Sequence, residues 1–234
     1  LNLQNALGYG EVFDLEFKSY PGNATTFKTH FLYPYLPLLP IGLDLKFDLY
    51  VRDTLYRDVN TFVGFQYIFS GNNYLKAFAD VQNSDLLSID SLRIAQQQRL
   101  PNTLDLRRTF YGLEYNFEQL DYRFNPRKGW YVQVNAAVGN RRTRVNNAII
   151  AIDKKLDSDT LQRQYEVLNE RALQFKGRYE VGKYWALGNT STLKTALEGA
   201  YITQTNLNVN EQYRIGGNQR LRGFDEESIF ADTY

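Results

Sequence analysis

From Ile41 to Arg52 the chain alternates between apolar and polar side chains. Ile41, Leu43, Leu45, Phe47, Leu49 and Val51 take the odd positions, and Asp44, Lys46, Asp48, Tyr50 and Arg52 lie between them. Successive side chains of a strand point to opposite faces, so this segment has one wholly apolar face and one charged face. Wound as a helix, the same residues would scatter both kinds around the cylinder. The segment is a strand, and eight more read the same way: 9–19, 25–33, 57–69, 74–82, 107–118, 130–138, 172–185 and 191–204. In 57–69, for example, Val59, Val63, Phe65, Tyr67 and Phe69 oppose Asp58, Asn60 and Gln66; in 107–118, Tyr111, Leu113, Tyr115 and Phe117 oppose Arg108, Glu114 and Asn116.

Alternation alone leaves two architectures open. A soluble sandwich or lipocalin-like barrel turns the apolar face inward, whereas a membrane barrel turns it toward lipid. Three features favour the membrane. The segments are mostly about 9 to 14 residues long, against ~5–6 in globular sheets and ~9–11 for a tilted membrane-crossing strand. Aromatic residues gather near strand ends (Tyr9, Tyr33, Tyr35, Tyr67, Phe69, Phe117, Trp130, Tyr184, Trp185, Tyr201), as interfacial girdles do. The connections fall at 20–24, 34–40, 53–56, 70–73, 83–106, 119–129, 139–171 and 186–190, with a tail from 205. The longest recur at every second connection, as in a meander with short periplasmic turns and long outer loops. Pro34, Pro37 and Pro40 stiffen one short turn. Within 139–171, Leu161, Tyr165, Leu168 and Ala172 have helical spacing behind the candidate caps Ser158 and Asp159.

Composition narrows the function classes. Lys+Arg 27 against Asp+Glu 26 gives a net charge of +1, so bulk charge offers no nucleic-acid footprint. Cysteine is absent and His30 is the single histidine, which excludes disulfides, thiolate sites and a histidine-rich metal site. Aromatics make up 15% while the mean hydropathy is −0.47, a pairing that alternating membrane strands produce. No apolar run is long enough for a transmembrane helix, and no signal peptide is visible. The chain lacks methionine and nine strands cannot close a bacterial single-chain barrel, so it is expected to be a piece of a longer protein.

The tail reads Ile215-Gly216-Gly217-Asn218-Gln219-Arg220-Leu221-Arg222-Gly223-Phe224. It resembles the (Val/Ile/Leu)-Arg-Gly-(Phe/Tyr) signature of the outer-membrane insertase superfamily of BamA, TamA and the two-partner secretion transporters. There the motif sits on the sixth extracellular loop, which folds back into the barrel lumen. Asp121-Tyr122-Arg123-Phe124-Asn125-Pro126-Arg127-Lys128-Gly129-Trp130 is similar to the family's Asp…Pro-x-x-Gly periplasmic turn. Asn5-Ala6-Leu7-Gly8-Tyr9-Gly10-Glu11 resembles its Asn-x-x-Gly-x-Gly approach to the third strand. Counting loops back from the tail gives the same register as residues 5–11. Downstream of the motif the family usually has Gly-Pro, whereas here Asp225-Glu226-Glu227 follows, which leaves the subfamily open.

The resemblance implies an all-β fold: a transmembrane antiparallel up-and-down β-barrel, of which the chain carries about nine strands, the third to the eleventh of sixteen. Residues 1–204 are then a partial barrel domain with long loops at 83–106 and 139–171, and 205–234 are loop six folded into the lumen. Arg222 is expected to pin that loop to a lumen carboxylate, because a buried guanidinium needs acceptors. The alternative is a solvated loop arginine. Gly216, Gly217 and Gly223 permit tight turns, Leu221 completes the motif, and Phe224 is expected to bury its ring against the inner wall. The family's own acceptor lies on later strands; the lumen-side charges available within this chain are Asp48, Glu114, Glu180 and Glu198. Asp121, Pro126 and Gly129 are read as a structural turn only.

The function implied is insertion of unfolded β-barrel clients into the bacterial outer membrane through a lateral gate. Lipid, client proteins and accessory assembly subunits are the expected partners; no cofactor, metal or nucleic acid is implied. A secretion transporter of the same superfamily or a passive porin is the alternative. Enzymatic activity is not expected, since no Gly-x-Ser-x-Gly elbow, paired histidines or phosphate-binding loop is present.

Overall fold

The computed structural model describes residues 1–234 apart from 21–22, 37–38, 169–171, 204–206, 218–222 and 225–227. Ten strands form one antiparallel sheet in strict sequence order: β1 (Asn2–Gln4), β2 (Val12–Tyr20), β3 (Ala24–Tyr33), β4 (Ile41–Arg52), β5 (Tyr56–Ser70), β6 (Asn73–Leu86), β7 (Leu106–Leu120), β8 (Gly129–Thr143), β9 (Ala172–Leu187) and β10 (Ser191–Ile202). All nine segments expected from alternation are present. The tenth strand, β1, is too short to show a period. Residues 5–11 are a turn rather than strand: Asn5 Oδ1 accepts from the Gly10 amide at 2.8 Å, and the Glu11 carboxylate accepts from the Leu7 and Tyr9 amides.

The strands β6 and β8 run beyond the alternating segments, to Leu86 and Thr143. Their last residues are polar on both faces (Asn83-Ser84-Asp85, Asn140-Arg141-Arg142-Thr143). Pairing continues there, but neither face needs to be apolar, so the sequence signal stops before the strand does. The long loops are correspondingly shorter, and each carries helix: α1 (Ser91–Gln97) in the first, α2 (Asn147–Lys155) and α3 (Thr160–Leu168) in the second. Their apolar sides meet in one small core, in which Ile94, Leu104, Leu106, Ile149, Leu161 and Tyr165 are buried. The α3 start is fixed from two sides. Ser158 Oγ accepts from the Thr160 amide, and the α2 residue Asp153 accepts from the Leu161 and Gln162 amides at 3.1 Å, satisfying orphan donors of the first turn. Ala172 is on β9, outside the helix.

Burial distinguishes the two architectures that alternation left open. The apolar face is the exposed one: Phe17, Phe65, Tyr111, Leu113, Phe175 and Leu197 are each more than half exposed. The charged face is the buried one, with Asp44 at 1% and Lys76 at 3% exposure. A soluble domain would carry the opposite arrangement, so the sheet is the wall of a transmembrane barrel, inside out relative to water. On β4, Ile41 to Val51 covers about 33 Å along the strand, or about 25 Å of height at a ~40° tilt, which matches the apolar band of such walls.

Outward aromatics collect at the short-turn end, where they touch in series: Tyr9–Tyr33, Phe31–Tyr33, Tyr67–Phe69, Phe69–Tyr115, Tyr115–Phe117 and Phe117–Trp130. Tyr184 is not among them, since it points inward beside Tyr131, and Tyr201 lies at the other end, opposite Gly177. Leu113 occupies the middle of the outward face of β7, opposite Ala136. Leu113→Arg should therefore destabilise the folded protein in bilayers by about 2–4 kcal/mol, read as a lowered urea midpoint. The same substitution in a soluble sandwich's solvent-exposed face would cost almost nothing.

Candidate functional site

The inner face carries horizontal rows of polar side chains set by register. On one row Arg108 of β7 stands directly opposite Arg141 of β8. Two like charges so placed repel, and both point inward, Arg141 at 3% exposure. The chain after β10 supplies what they need. Residues Val209–Glu211 form a short 3-10 turn closed by a capping box with Asn208. The Glu211 carboxylate accepts a bidentate pair from Arg141, Nε at 2.7 Å and Nη2 at 2.9 Å, while the Glu211 carbonyl accepts from Arg108 Nη1 at 3.1 Å. Burial alone would raise the Glu211 pKa above its ordinary 4.5; the Arg141 hydrogen bonds and the Arg108 charge outweigh it, and the net shift is downward.

A second attachment lies one turn further on. Strand β11 (Tyr213–Ile215) pairs with β12 (Ile229–Ala231) as a hairpin inside the wall. From β11, Arg214 reaches the Asp58 carboxylate on β5, with its guanidinium 3.9 Å from the centre of the Tyr50 ring. Asp58 also accepts from Ser84 Oγ at 2.6 Å, and Ser84 Oγ accepts from Asn210 at 2.7 Å. Beneath these polar ties, Leu207 and Tyr213 pack on Phe78, Phe110 and Ile202. The segment then returns to the wall edge, where Tyr234 exchanges backbone hydrogen bonds with Ala200 on β10. The segment after β10 is thus held against the inner face of the sheet by an apolar foot, a carboxylate between two arginines, and an arginine on an aspartate.

Nearer the girdle end a second charged cluster lines a cavity of about 720 Å³. Lys76 lies between Asp44 Oδ2 at 2.6 Å and Glu114 Oε1 at 3.2 Å. His30 Nε2 pairs with Asp44 Oδ1 at 2.9 Å, and Glu114 accepts from Tyr74 at 2.5 Å and Asn135 at 3.3 Å. His30 is lumen lining and belongs to an ion-pair network.

All four carboxylates picked from the sequence face inward, but into different surroundings. Glu114 is in the cluster just described. Asp48 lines a smaller cavity of about 230 Å³ between residues 210–214 and the wall. Glu180 accepts from Tyr131 at 2.8 Å, and Glu198 accepts from Arg178 at 2.7 Å and from Tyr234 at 3.2 Å. The pairing of Arg222 lies outside the described residues; a different arginine, Arg214, goes to Asp58, a residue alternation had placed on the polar face of β5 without distinguishing it.

Of the signature motif, Leu221 and Arg222 lie outside the described residues. Gly216, Gly217 and Gly223 have φ of 125°, 91° and 94°, where side chains are disfavoured, and the Gly217 amide donates to the Phe224 carbonyl at 3.2 Å. Phe224 is 56% exposed beside these ten strands, and the apolar contacts with the wall are made by Leu207 and Tyr213. The turn at 121–129 is organised by Asp121, whose Oδ1 accepts from the amides of Tyr122, Arg127 and Lys128 at 2.9–3.0 Å. Pro126 is half-buried within it. A Cβ on Gly129 would come within 2.0 Å of the Gln119 carbonyl, so no other residue fits there. The Asp121 carboxyl is held below its ordinary pKa by these amides, that of Lys128 first.

Compared with known families, residues 5–232 match the family described as the Omp85 superfamily domain. No curated protein matches the chain.

Proposed function

The chain belongs to the Omp85 superfamily, and from that premise we propose that it is the central wall and plug loop of an outer-membrane insertase for β-barrel proteins. The observation that carries the proposal is the latch at Glu211, which fastens the returning loop to β7 and β8 from inside. A wall braced in this way stays rigid while seam strands elsewhere in the barrel part sideways. A client strand then adds to the exposed edge by backbone pairing, and no covalent chemistry is required of this chain. The exposed apolar face anchors the protein as a multi-pass barrel in the outer membrane, with unfolded barrel proteins as clients and accessory subunits as further partners.

The test is reconstitution of the full-length protein in liposomes with an unfolded barrel client. Wild type should accelerate client insertion, and Glu211→Ala and Arg222→Ala should both reduce the acceleration. No acceleration by wild type, together with steady open-pore conductance, would replace this reading with a porin or a dedicated secretion channel.

A further inference from the structure

The rung next to the latch has the same composition and the opposite orientation. Arg107 of β7 stands opposite Arg142 of β8, and both side chains are exposed on the outer face. The inward pair Arg108–Arg141 has the Glu211 carboxylate between its members. The outward pair has no carboxylate partner among the described residues. Arg144, just past the end of β8, adds a third guanidinium; it and Arg57 share one carboxylate, Asp85. The other nearby acid, Asp105, is already accepting from the Leu86 amide and Asn146. Four arginines thus face one available aspartate. Arg107, Arg142 and Arg144, with Thr143 and Val145, line a shallow recess of about 380 Å³.

Height along the wall says what could fill it. Descending the outer face of β7 and β8, the rungs read Arg107–Arg142, Thr109–Asn140, Tyr111–Val138, Leu113–Ala136, Tyr115–Val134 and Phe117–Val132. The arginine rung therefore stands about 33 Å along the strand from Phe117, or about 25 Å of bilayer height at a ~40° tilt. With Phe117 in the girdle at one interface, the arginines are at the headgroup level of the other leaflet. Like charges paired in register at that depth favour a bound anion, and a guanidinium pair matches phosphate oxygens bidentately. We propose that Arg107 and Arg142, assisted by Arg144, bind the phosphate of an anionic acyl lipid in the leaflet opposite the aromatic girdle. The lipid's chains would lie on Tyr111, Val138 and Phe175 below. The inference rests on the apolar face being the lipid face and is independent of the insertase reading.

The full-length protein is assembled in phosphatidylcholine nanodiscs containing either a bis-phosphorylated acyl glycolipid or its dephosphorylated counterpart, and retained lipid is counted by native mass spectrometry. Wild type should retain the phosphorylated lipid and not the other. Arg107→Gln/Arg142→Gln should retain about ten- to thirty-fold less, and Arg107→Lys/Arg142→Lys should lose less than the glutamine pair. Equal retention of both glycolipids by wild type overturns the proposal without reference to any variant. Unchanged retention by a glutamine pair that keeps its heat-modifiable gel shift overturns it as well. Displacement of the lipid by millimolar inorganic phosphate would make the recess a free-anion site and overturn the lipid assignment. Loss of all lipid retention, zwitterionic included, would instead contradict the lipid-facing wall.

Discussion

Glu211→Ala should release the segment after β10 from the inner face of the wall. The substitution removes the only carboxylate that the described residues place between Arg108 and Arg141, and it opens the capping box that shapes the 3-10 turn. Two inward arginines are then left facing each other. Breaking a buried pair by removing one partner costs about 3–5 kcal/mol, so the undocked fraction should rise by about two to three and a half orders of magnitude at ~1.4 kcal/mol per decade. The expected readings are protease cleavage within 203–231 and higher single-channel conductance in planar bilayers. Glu211→Gln keeps the acceptor oxygen and should fall between the two. The pH dependence has a definite sign. A carboxyl whose folded pKa is depressed stabilises the docked state above its ordinary value of 4.5 and loses that contribution as pH falls through the folded pKa. Conductance should therefore be flat from pH 7 to pH 5 and rise only below about pH 4.5.

Lys76→Met should be the most destabilising single change on the inner wall. It leaves Asp44 and Glu114, at 1% and 8% exposure, without the cation they share. Asp44 keeps His30 and, at 3.6 Å, Lys46; Glu114 keeps Tyr74 and Asn135. Those partners do not replace a charge at 2.6 Å, and a loss of about 3–5 kcal/mol is expected, seen as a lower urea midpoint in lipid vesicles. Because the cost comes from stranded carboxylates, Lys76→Met/Glu114→Gln should recover part of it. A double variant as unstable as the sum of two independent changes would show that the three groups do not act as a unit.

What the sequence disclosed follows from which interactions are local. The β4 alternation needs only the pleat, and it identified both faces correctly without saying which faced water. Strand ends such as Arg141–Thr143 were hidden because the wall there has left the apolar layer. The helix α1 was hidden because seven residues hold too few turns to display a period, whereas α3 was visible through Leu161, Tyr165 and Leu168. The latch is partly legible: Asn208 and Glu211 have capping-box spacing. The opposition of Arg108 to Arg141 is not, because it depends on the pairing register of two long strands. Asp58 as the acceptor for Arg214 is a contact between residues 156 apart, beyond any sequence pattern.

The wall is inside out, with its apolar face in lipid and its charged face around the segment that follows β10. Spin labels at single cysteines from Val132 to Val138 test it most directly, in a chain that has no cysteine of its own. Period-two behaviour is expected: labels at Val132, Val134, Ala136 and Val138 accessible to oxygen and shielded from a water-soluble nickel chelate, and labels at Gln133, Asn135 and Ala137 with low oxygen accessibility. The inverse phase, with the chelate reaching the valine positions, would make this a soluble sheet and contradict the account.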